Sequence, residues 1–165
     1  MKEHILSFFY KNPGIEVNIR TLAEYLGSSQ STTLRQVNLL VKEQLLIKIE
    51  KKHEHIVKLN EEQSIINKRL FNIKQLYDVG LVKYLEEEFE YPASIIVFGS
   101  FSFGENGAQS DIDIAIQTKI IKDISLSEFE KKLGFPIQLF FLTEDLSENL
   151  KKSIYNGVVL QGRIQ

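Results

Sequence analysis

The sequence predicts an α+β chain, in which a helical front part with one hairpin precedes a small mixed sheet packed against helices. Three observations predict this class. Apolar side chains recur at helical spacing over the first 45 residues, and residues 46–59 place apolar runs on both sides of a charged turn. From residue 93 onward, short runs rich in isoleucine, valine and phenylalanine alternate with helical patterns.

The front part contains three predicted helices and a hairpin. The helices lie in MKEHILSFFYKN, IRTLAEYLG and STTLRQVNLLVKEQLL, with Pro13-Gly14 ending the first and the polar turn SSQS preceding the third. Two apolar strands then flank the turn EKKHEH. This order is that of a winged helix-turn-helix, and the front part resembles archaeal and bacterial winged-helix DNA-binding domains. The resemblance implies a third helix that enters the major groove of DNA.

The third helix and the hairpin tip would carry the DNA contacts. The candidates are Ser29, Gln30, Thr33, Arg35, Gln36 and Asn38 on or beside the helix, and Lys51 and Lys52 at the tip for phosphate. The alternative is a winged helix used for dimerisation or protein contact. Residues 1–60 carry nine Lys/Arg and six Asp/Glu, a charge of only +3, whereas phosphate contacts dominate nucleic-acid affinity.

The changes of pattern predict three segments: a winged-helix domain over 1–60, a linking helix over 61–92, and a second domain over 93–165. The linker is expected to be one long helix or a pair broken at Gly80. Its predicted apolar stripe consists of Ile66, Leu70, Ile73, Leu76 and Tyr77. In the second domain, the predicted strands are SIIVFGS, DIDIAIQ, PIQLFFLT and VVLQG, and the predicted helices are SLSEFEKKLG and EDLSENLKKSIYNG.

Two aspartates stand one residue apart in the second of these strands. Residues i and i+2 of a strand share a face, so Asp111 and Asp113 project together, while the isoleucines between and after them face the core. Two adjacent carboxylates repel each other unless a cation lies between them. Mg²⁺ prefers carboxylate oxygens together with substrate phosphates, and is the cation that this pair predicts.

Gly99 and Ser100 follow the preceding strand. Glycine lets the backbone approach a ligand closely, the free N–H groups of a following helix would face an anion, and the serine adds a hydroxyl donor. Hydrogen-bond donors that bind phosphate, together with an acid pair that binds a metal ion, are the smallest set of groups that phosphoryl or nucleotidyl transfer needs. Each piece alone is common: a Gly-Ser pair often follows a strand, and an Asp-x-Asp pair is often a solvated strand end.

With their spacing and flanking strands, these residues resemble the DNA polymerase β-like nucleotidyltransferase superfamily, most closely its minimal members from archaea and bacteria. Gly99, Ser100, Asp111 and Asp113 match the family's motif of hydrophobic strand, Gly-Ser, loop and Asp-x-Asp, and Ser110 fits the frequent Ser-Asp-Ile-Asp form. The resemblance covers roughly residues 93–162. It implies that the aspartates hold Mg²⁺, that the Gly-Ser pair cradles the phosphates of ATP or another nucleoside triphosphate, and that a nucleoside monophosphate passes to an acceptor hydroxyl. In toxin–antitoxin pairs, similar proteins transfer AMP to a tyrosine of a HEPN-domain ribonuclease.

The sequence departs from the family pattern at two positions. Active relatives usually carry a third carboxylate on the next strand, where this chain has Gln138, and an arginine in the loop, where it has Phe103. Glutamine supplies neither a base nor a negative charge. Two hypotheses therefore stand: an enzyme that transfers a nucleoside monophosphate, or a transcription regulator whose nucleotidyltransferase domain binds a nucleotide or partner without chemistry.

Composition excludes several other classes. The chain of 165 residues has no cysteine, which excludes disulfide scaffolds, thiolate zinc sites and cysteine nucleophiles. No apolar run approaches the roughly 20 residues that span a bilayer, and no signal peptide is recognisable, so a cytoplasmic protein without membrane contact is expected. A homodimer is plausible, since winged-helix proteins often bind two half-sites.

Overall fold

A computed structural model describes residues 1–51, 54–143 and 145–164. It divides the chain into two compact units, Met1–Lys68 and Arg69–Gln165. The division falls inside one helix, α4 (Glu61–Asp78). The bounds of the three segments derived from the sequence remain a prediction.

The first unit is a winged helix-turn-helix. Its elements before α4 are α1 (Lys2–Lys11), β1 (Val17–Asn18), α2 (Ile19–Tyr25), α3 (Gln30–Lys42), β2 (Leu46–Lys51) and β3 (Glu54–Leu59). The three strands form an antiparallel sheet in the order β1-β3-β2. The two-residue strand β1 after α1 joins this sheet, in which Val17 pairs with Val57.

Apolar residues from every helix and from the hairpin fill the core of this unit. Its fully buried side chains include Ile5, Phe9, Leu22, Val37, Leu40 and Val57. The turn between α2 and α3 ends at Ser29, whose hydroxyl accepts a hydrogen bond from the backbone N–H of Thr32 and caps α3. The helix-turn-helix geometry thus follows from an apolar stripe on each helix and a polar cap between them.

The buried stripe of α4 differs from the predicted one. Ile66 and Leu70 are 69% and 64% exposed, so the prediction that they belong to a packing stripe is wrong. The buried positions are Ser64, Lys68, Asn72 and Leu76, which recur every four residues. The polar members of this stripe make hydrogen bonds: the Ser64 hydroxyl, for example, donates to the carbonyl oxygen of Leu45. Helical spacing alone does not identify such a face, because three of its four residues are polar.

The second unit contains a mixed four-stranded sheet with helices. Its elements after α4 are α5 (Leu81–Glu88), β4 (Ser94–Phe98), α6 (Gly99–Phe103), β5 (Ile112–Gln117), α7 (Ser127–Leu133), β6 (Ile137–Phe141), α8 (Glu148–Tyr155) and β7 (Val158–Gly162). The strand order is β6-β5-β4-β7. Strand β5 runs parallel to β6, and the other neighbours are antiparallel. The α+β prediction, with its four strands, is confirmed.

The central strands of this sheet are the most deeply buried part of the unit. All five residues of β4 are buried, and Ile112, Ile114 and Ile116 of β5 have no exposed surface. The alternation predicted for β5 is therefore present, with the isoleucines on one face in the core and Asp113 and Ala115 on the other face. Of the helices in the described residues, none combines the length and apolar character needed to cross a membrane.

Candidate functional site

The pairing of β4 with β5 brings the Gly-Ser turn next to the acid pair. Phe98, the last residue of β4, lies opposite Asp113 in the antiparallel register. Gly99 follows at once with a φ of +69°, a conformation that residues with a Cβ rarely adopt. A Cβ built on Gly99 would come within 3.0 Å of Oδ2 of Asp113. Glycine is required here twice, by its backbone conformation and by the carboxylate that lies against it.

Asp111 and Asp113 lie at the start of β5, both half-buried. The pKa of Asp113 is raised above its usual value, first because partial burial disfavours the charged carboxylate and second because of the negative charge of Asp111. The two carboxylates therefore interact, as expected for neighbours on one strand face. This repulsion is the electrostatic condition that a bound cation relieves.

Gln138 lies beside this pair on the adjacent strand. In the parallel register of β5 and β6, Gln138 is opposite Asp113, and its side-chain amide donates a hydrogen bond to Oδ2 of Asp111. The residue expected at the position of the third carboxylate thus stands next to the other two. Within the described residues, no cluster of three or more His, Asp or Glu side chains could hold a metal ion. The group formed by Asp111, Asp113 and Gln138 thus consists of two acids and one amide.

Hydrogen bonds among serines and backbone groups order the loop between β4 and β5. The Ser102 hydroxyl donates to the carbonyl oxygen of Gly99 at 2.8 Å, and Ser110 accepts from the backbone N–H of Gly107 at 2.9 Å. The hydroxyls of Ser100 and Ser110 lie 3.4 Å apart. Ser110, noted in the sequence only as part of a motif, therefore connects the two ends of the loop just before Asp111.

A buried asparagine outside the motif also holds this loop. Asn72 of α4 is 2% exposed and donates from its amide nitrogen to the carbonyl oxygen of Phe101 at 2.9 Å and to Oδ1 of Asn106 at 2.8 Å. Sequence reasoning missed Asn72, because α4 was interpreted as a linking helix. The sequence pattern gives no signal for it, since the positions at four-residue intervals before Leu76 are all polar.

The candidate DNA-contacting residues are not all accessible. Thr33 has no exposed surface and packs on the buried side of α3 with Val37, so its prediction as a groove-facing residue is wrong. Arg35 is exposed and Gln36 is half-buried, so both remain candidates. Lys52 and the side chain of Lys51 lie outside the described residues.

The fold and these residues define a class: a small mixed-sheet α+β domain with an acid pair at the start of one strand and a glycine turn against it. The match to a family model agrees with this class. Residues 79–158 match the family model described as "Nucleotidyltransferase domain". They form a nucleotidyltransferase domain of the DNA polymerase β-like superfamily, and they include both aspartates, Gly99, Ser100 and Gln138.

Two solved structures have partial similarity. One is a possible transcriptional regulator from Methanosarcina mazei, with 21% identity over 52% of this chain and 75% of that chain, and a TM-score of 0.37. The other is HmgR from Pseudomonas aeruginosa, with 13% identity over 75% of this chain and 50% of that chain, and a TM-score of 0.35. No curated protein gave a significant match.

Proposed function

We propose that this protein transfers a nucleoside monophosphate, AMP from ATP in the first instance, to the hydroxyl of an acceptor, and that Asp111, Asp113, Gly99 and Ser100 form the site. The observation that carries the proposal is that the carboxylate of Asp113 lies where a Cβ on Gly99 would be, with Asp111 two positions earlier in the chain. This arrangement joins the phosphate-binding and cation-binding parts of the motif in one place.

The donor set fits Mg²⁺. Two carboxylates, whose mutual repulsion contributes to the raised pKa of Asp113, supply the hard oxygen ligands that this ion prefers, and substrate phosphates commonly complete its shell. When bound, the ion neutralises negative charge on the phosphates and polarises them.

The residues of the chain position the reactants. Asp111 and Asp113 act in their ionised form, and Gln138 fixes the orientation of Asp111 by donating to it. Gly99 and Ser100 hold the phosphates through backbone N–H groups and the serine hydroxyl. The acceptor oxygen forms a bond to the α-phosphorus as the bond to the bridging oxygen of the β-phosphate breaks. Pyrophosphate leaves, and the hydroxyl proton passes to solvent.

The test uses ATP labelled at the α-phosphate, with Mg²⁺, and measures pyrophosphate release and label transfer. Wild type is compared with Asp111→Asn and Asp113→Asn, and with Asp123→Asn as control, since Asp123 is an exposed carboxylate of the same unit outside the site. A HEPN-domain protein with an accessible tyrosine is one acceptor to supply. We expect both products with wild type and the control, and a loss of at least about 100-fold in the two site variants.

One other outcome distinguishes the alternative function. If the wild-type protein binds ATP with Mg²⁺ but releases no pyrophosphate with any acceptor, transfer is refuted and a regulator that senses nucleotide is favoured. The specific observation that favours this alternative is that, among the residues the structure describes, no third carboxylate joins Asp111 and Asp113, and Gln138 lies opposite Asp113 instead.

We also propose that the winged helix binds DNA, as a homodimer on two half-sites. The fold and the exposed Arg35 on α3 support it. Two cations of the hairpin region, Lys48 and Lys58, form ion pairs with Glu50 and Glu16, so the described part of the wing offers little free positive charge. Selection of oligonucleotides followed by binding at several salt concentrations tests this. Affinity that depends on neither salt nor Arg35→Ala contradicts DNA recognition by α3.

A further inference from the structure

Phe103, the last residue of α6, stands at a position where a cation would help to bind phosphate. The guanidinium of Arg69, on α4, lies over its ring. We propose that Arg69 of α4 contacts the phosphates of the bound nucleotide, and that Phe103 holds its guanidinium at the site. The inference rests on the proposed nucleotide site and assigns it a phosphate-binding residue outside the recognised motif.

The guanidinium of Arg69 lies over an aromatic ring of α6. The Cζ atom of Arg69 lies 5.7 Å from the centroid of the Phe103 ring, within the range of a cation–π contact. Phe103 follows Ser100 by three residues on α6, and residues three apart lie on the same side of a helix. Phe101 and Ser102, between them, are buried. The half-buried Ser100 and the Phe103 ring therefore lie on the same side of α6, with the guanidinium of Arg69 over the ring.

The positive charge of Arg69 is available to a ligand. Among the residues that the structure describes, Arg69 forms no ion pair, whereas Lys74 on the same helix pairs with Asp78. An aromatic ring orients a guanidinium without supplying the lone pairs that its N–H donors need. Arg69 is half-buried, so water screens it less than a fully exposed cation. Its planar fork of donors matches the oxygens of a phosphate group.

Hydrogen bonds of Asn72 hold α4 in place beside α6. Asn72 follows Arg69 by three residues on α4 and makes two buried hydrogen bonds to the loop, at the carbonyl oxygen of Phe101 and the side chain of Asn106. These bonds fix α4 against α6 one helical turn from the guanidinium. Arg69 and Asn72 both precede residues 79–158, the part that matches the family model. A motif search confined to that part does not reveal them.

The test measures the affinity of MgATP and of AMP by isothermal titration calorimetry. The proteins are the wild type, Arg69→Ala, Arg69→Lys and the double variant Arg69→Ala/Phe103→Arg. Lys74→Ala is the matched control, because it removes another cation from α4. We expect Arg69→Ala to weaken MgATP binding about tenfold or more and AMP binding less than about twofold, since the charge-assisted bonds go to the β- and γ-phosphates. Arg69→Lys should be intermediate, and Lys74→Ala should bind as wild type.

The double variant separates a phosphate contact from a structural role. Placing the cation on the loop itself should restore most of the MgATP affinity that Arg69→Ala loses. Two results overturn the inference while leaving the proposed function intact: unchanged MgATP affinity in Arg69→Ala, or an equal loss for MgATP and AMP without rescue by Phe103→Arg. A wild-type protein that binds no MgATP refutes the proposed function and this inference together.

Discussion

Gly99→Ala is the perturbation that tests most sharply how the backbone and the acid pair depend on each other. The added methyl group has two effects. It imposes a left-handed backbone (φ of +69°) on a residue with a Cβ, which costs about 1–2 kcal/mol. It also overlaps Oδ2 of Asp113, so this oxygen must move away before the two atoms reach ordinary contact.

The expected magnitudes follow from these two effects. Because the clashing atom is the end of a side chain, the carboxylate moves and the fold survives, at a loss of about 1–2 kcal/mol in unfolding free energy. The moved carboxylate no longer lies where the cation and phosphates require it. Since a misplacement of about 1 Å can cost roughly 100-fold in rate, we expect MgATP affinity and AMP transfer to fall by about tenfold or more.

Gly134→Ala is the matched control. Gly134 has a φ of +83°, so alanine there meets the same backbone strain, but nothing lies within 4 Å of its added Cβ. Urea denaturation should give similar stability losses for the two variants, and calorimetric titration should show lost MgATP binding only for Gly99→Ala. Equal MgATP affinity in Gly99→Ala and wild type would refute the reasoning, as would an equal loss in Gly134→Ala.

Three further predictions concern charge and burial. The raised pKa of Asp113 means that the folded protein holds this proton more tightly than the unfolded chain, so stability falls as pH rises through that range. Asp113→Asn should therefore unfold at higher urea concentration than wild type at pH 7 and lose this advantage once the pH is low enough to protonate the carboxyl in both folded and unfolded states; equal stability at pH 7 contradicts the electrostatic account. Gln138→Glu adds a carboxylate beside Asp111, so without Mg²⁺ the variant should unfold at a lower temperature than wild type. Adding Mg²⁺ should raise the unfolding temperature of the variant more than that of wild type. An unfolding temperature of the variant that does not change with Mg²⁺ argues against a cation at this site. Burial raises the pKa of Tyr10 to about 12, so its ultraviolet titration should lie well above that of exposed tyrosines, with stability falling above pH 10 less steeply in Tyr10→Phe; ionisation of every tyrosine near pH 10 in the folded protein would contradict this.

The strands and the acid pair could be predicted because they depend on local patterns. Alternation in DIDIAIQ placed isoleucines in the core and aspartates on the other face, and the structure has the isoleucines fully buried. The resemblance to the family predicts Gln138 at the place of the third carboxylate, on the strand after the aspartates. In the structure, Gln138 lies opposite Asp113 in the parallel register of β5 and β6.

The parts that could not be predicted depend on contacts distant in sequence. Thr33 is a polar residue that the sequence predicts to face DNA. It lies instead on the buried side of α3, which is the side that Val37 and Leu40 occupy. Asn72 is buried because its amide meets a carbonyl group 29 positions later. Hydrogen bonds of this kind let polar residues occupy a buried helix face, and spacing in a single sequence does not record them.

The most direct measurement of the central claim is anomalous X-ray scattering from crystals grown with Mn²⁺ and a non-hydrolysable ATP analogue. We predict a manganese peak between the carboxylates of Asp111 and Asp113, with the phosphates of the analogue against Gly99 and Ser100. A peak elsewhere in the second unit, or a nucleotide bound away from the Gly99 turn with no metal at the acid pair, would contradict the assignment of this site.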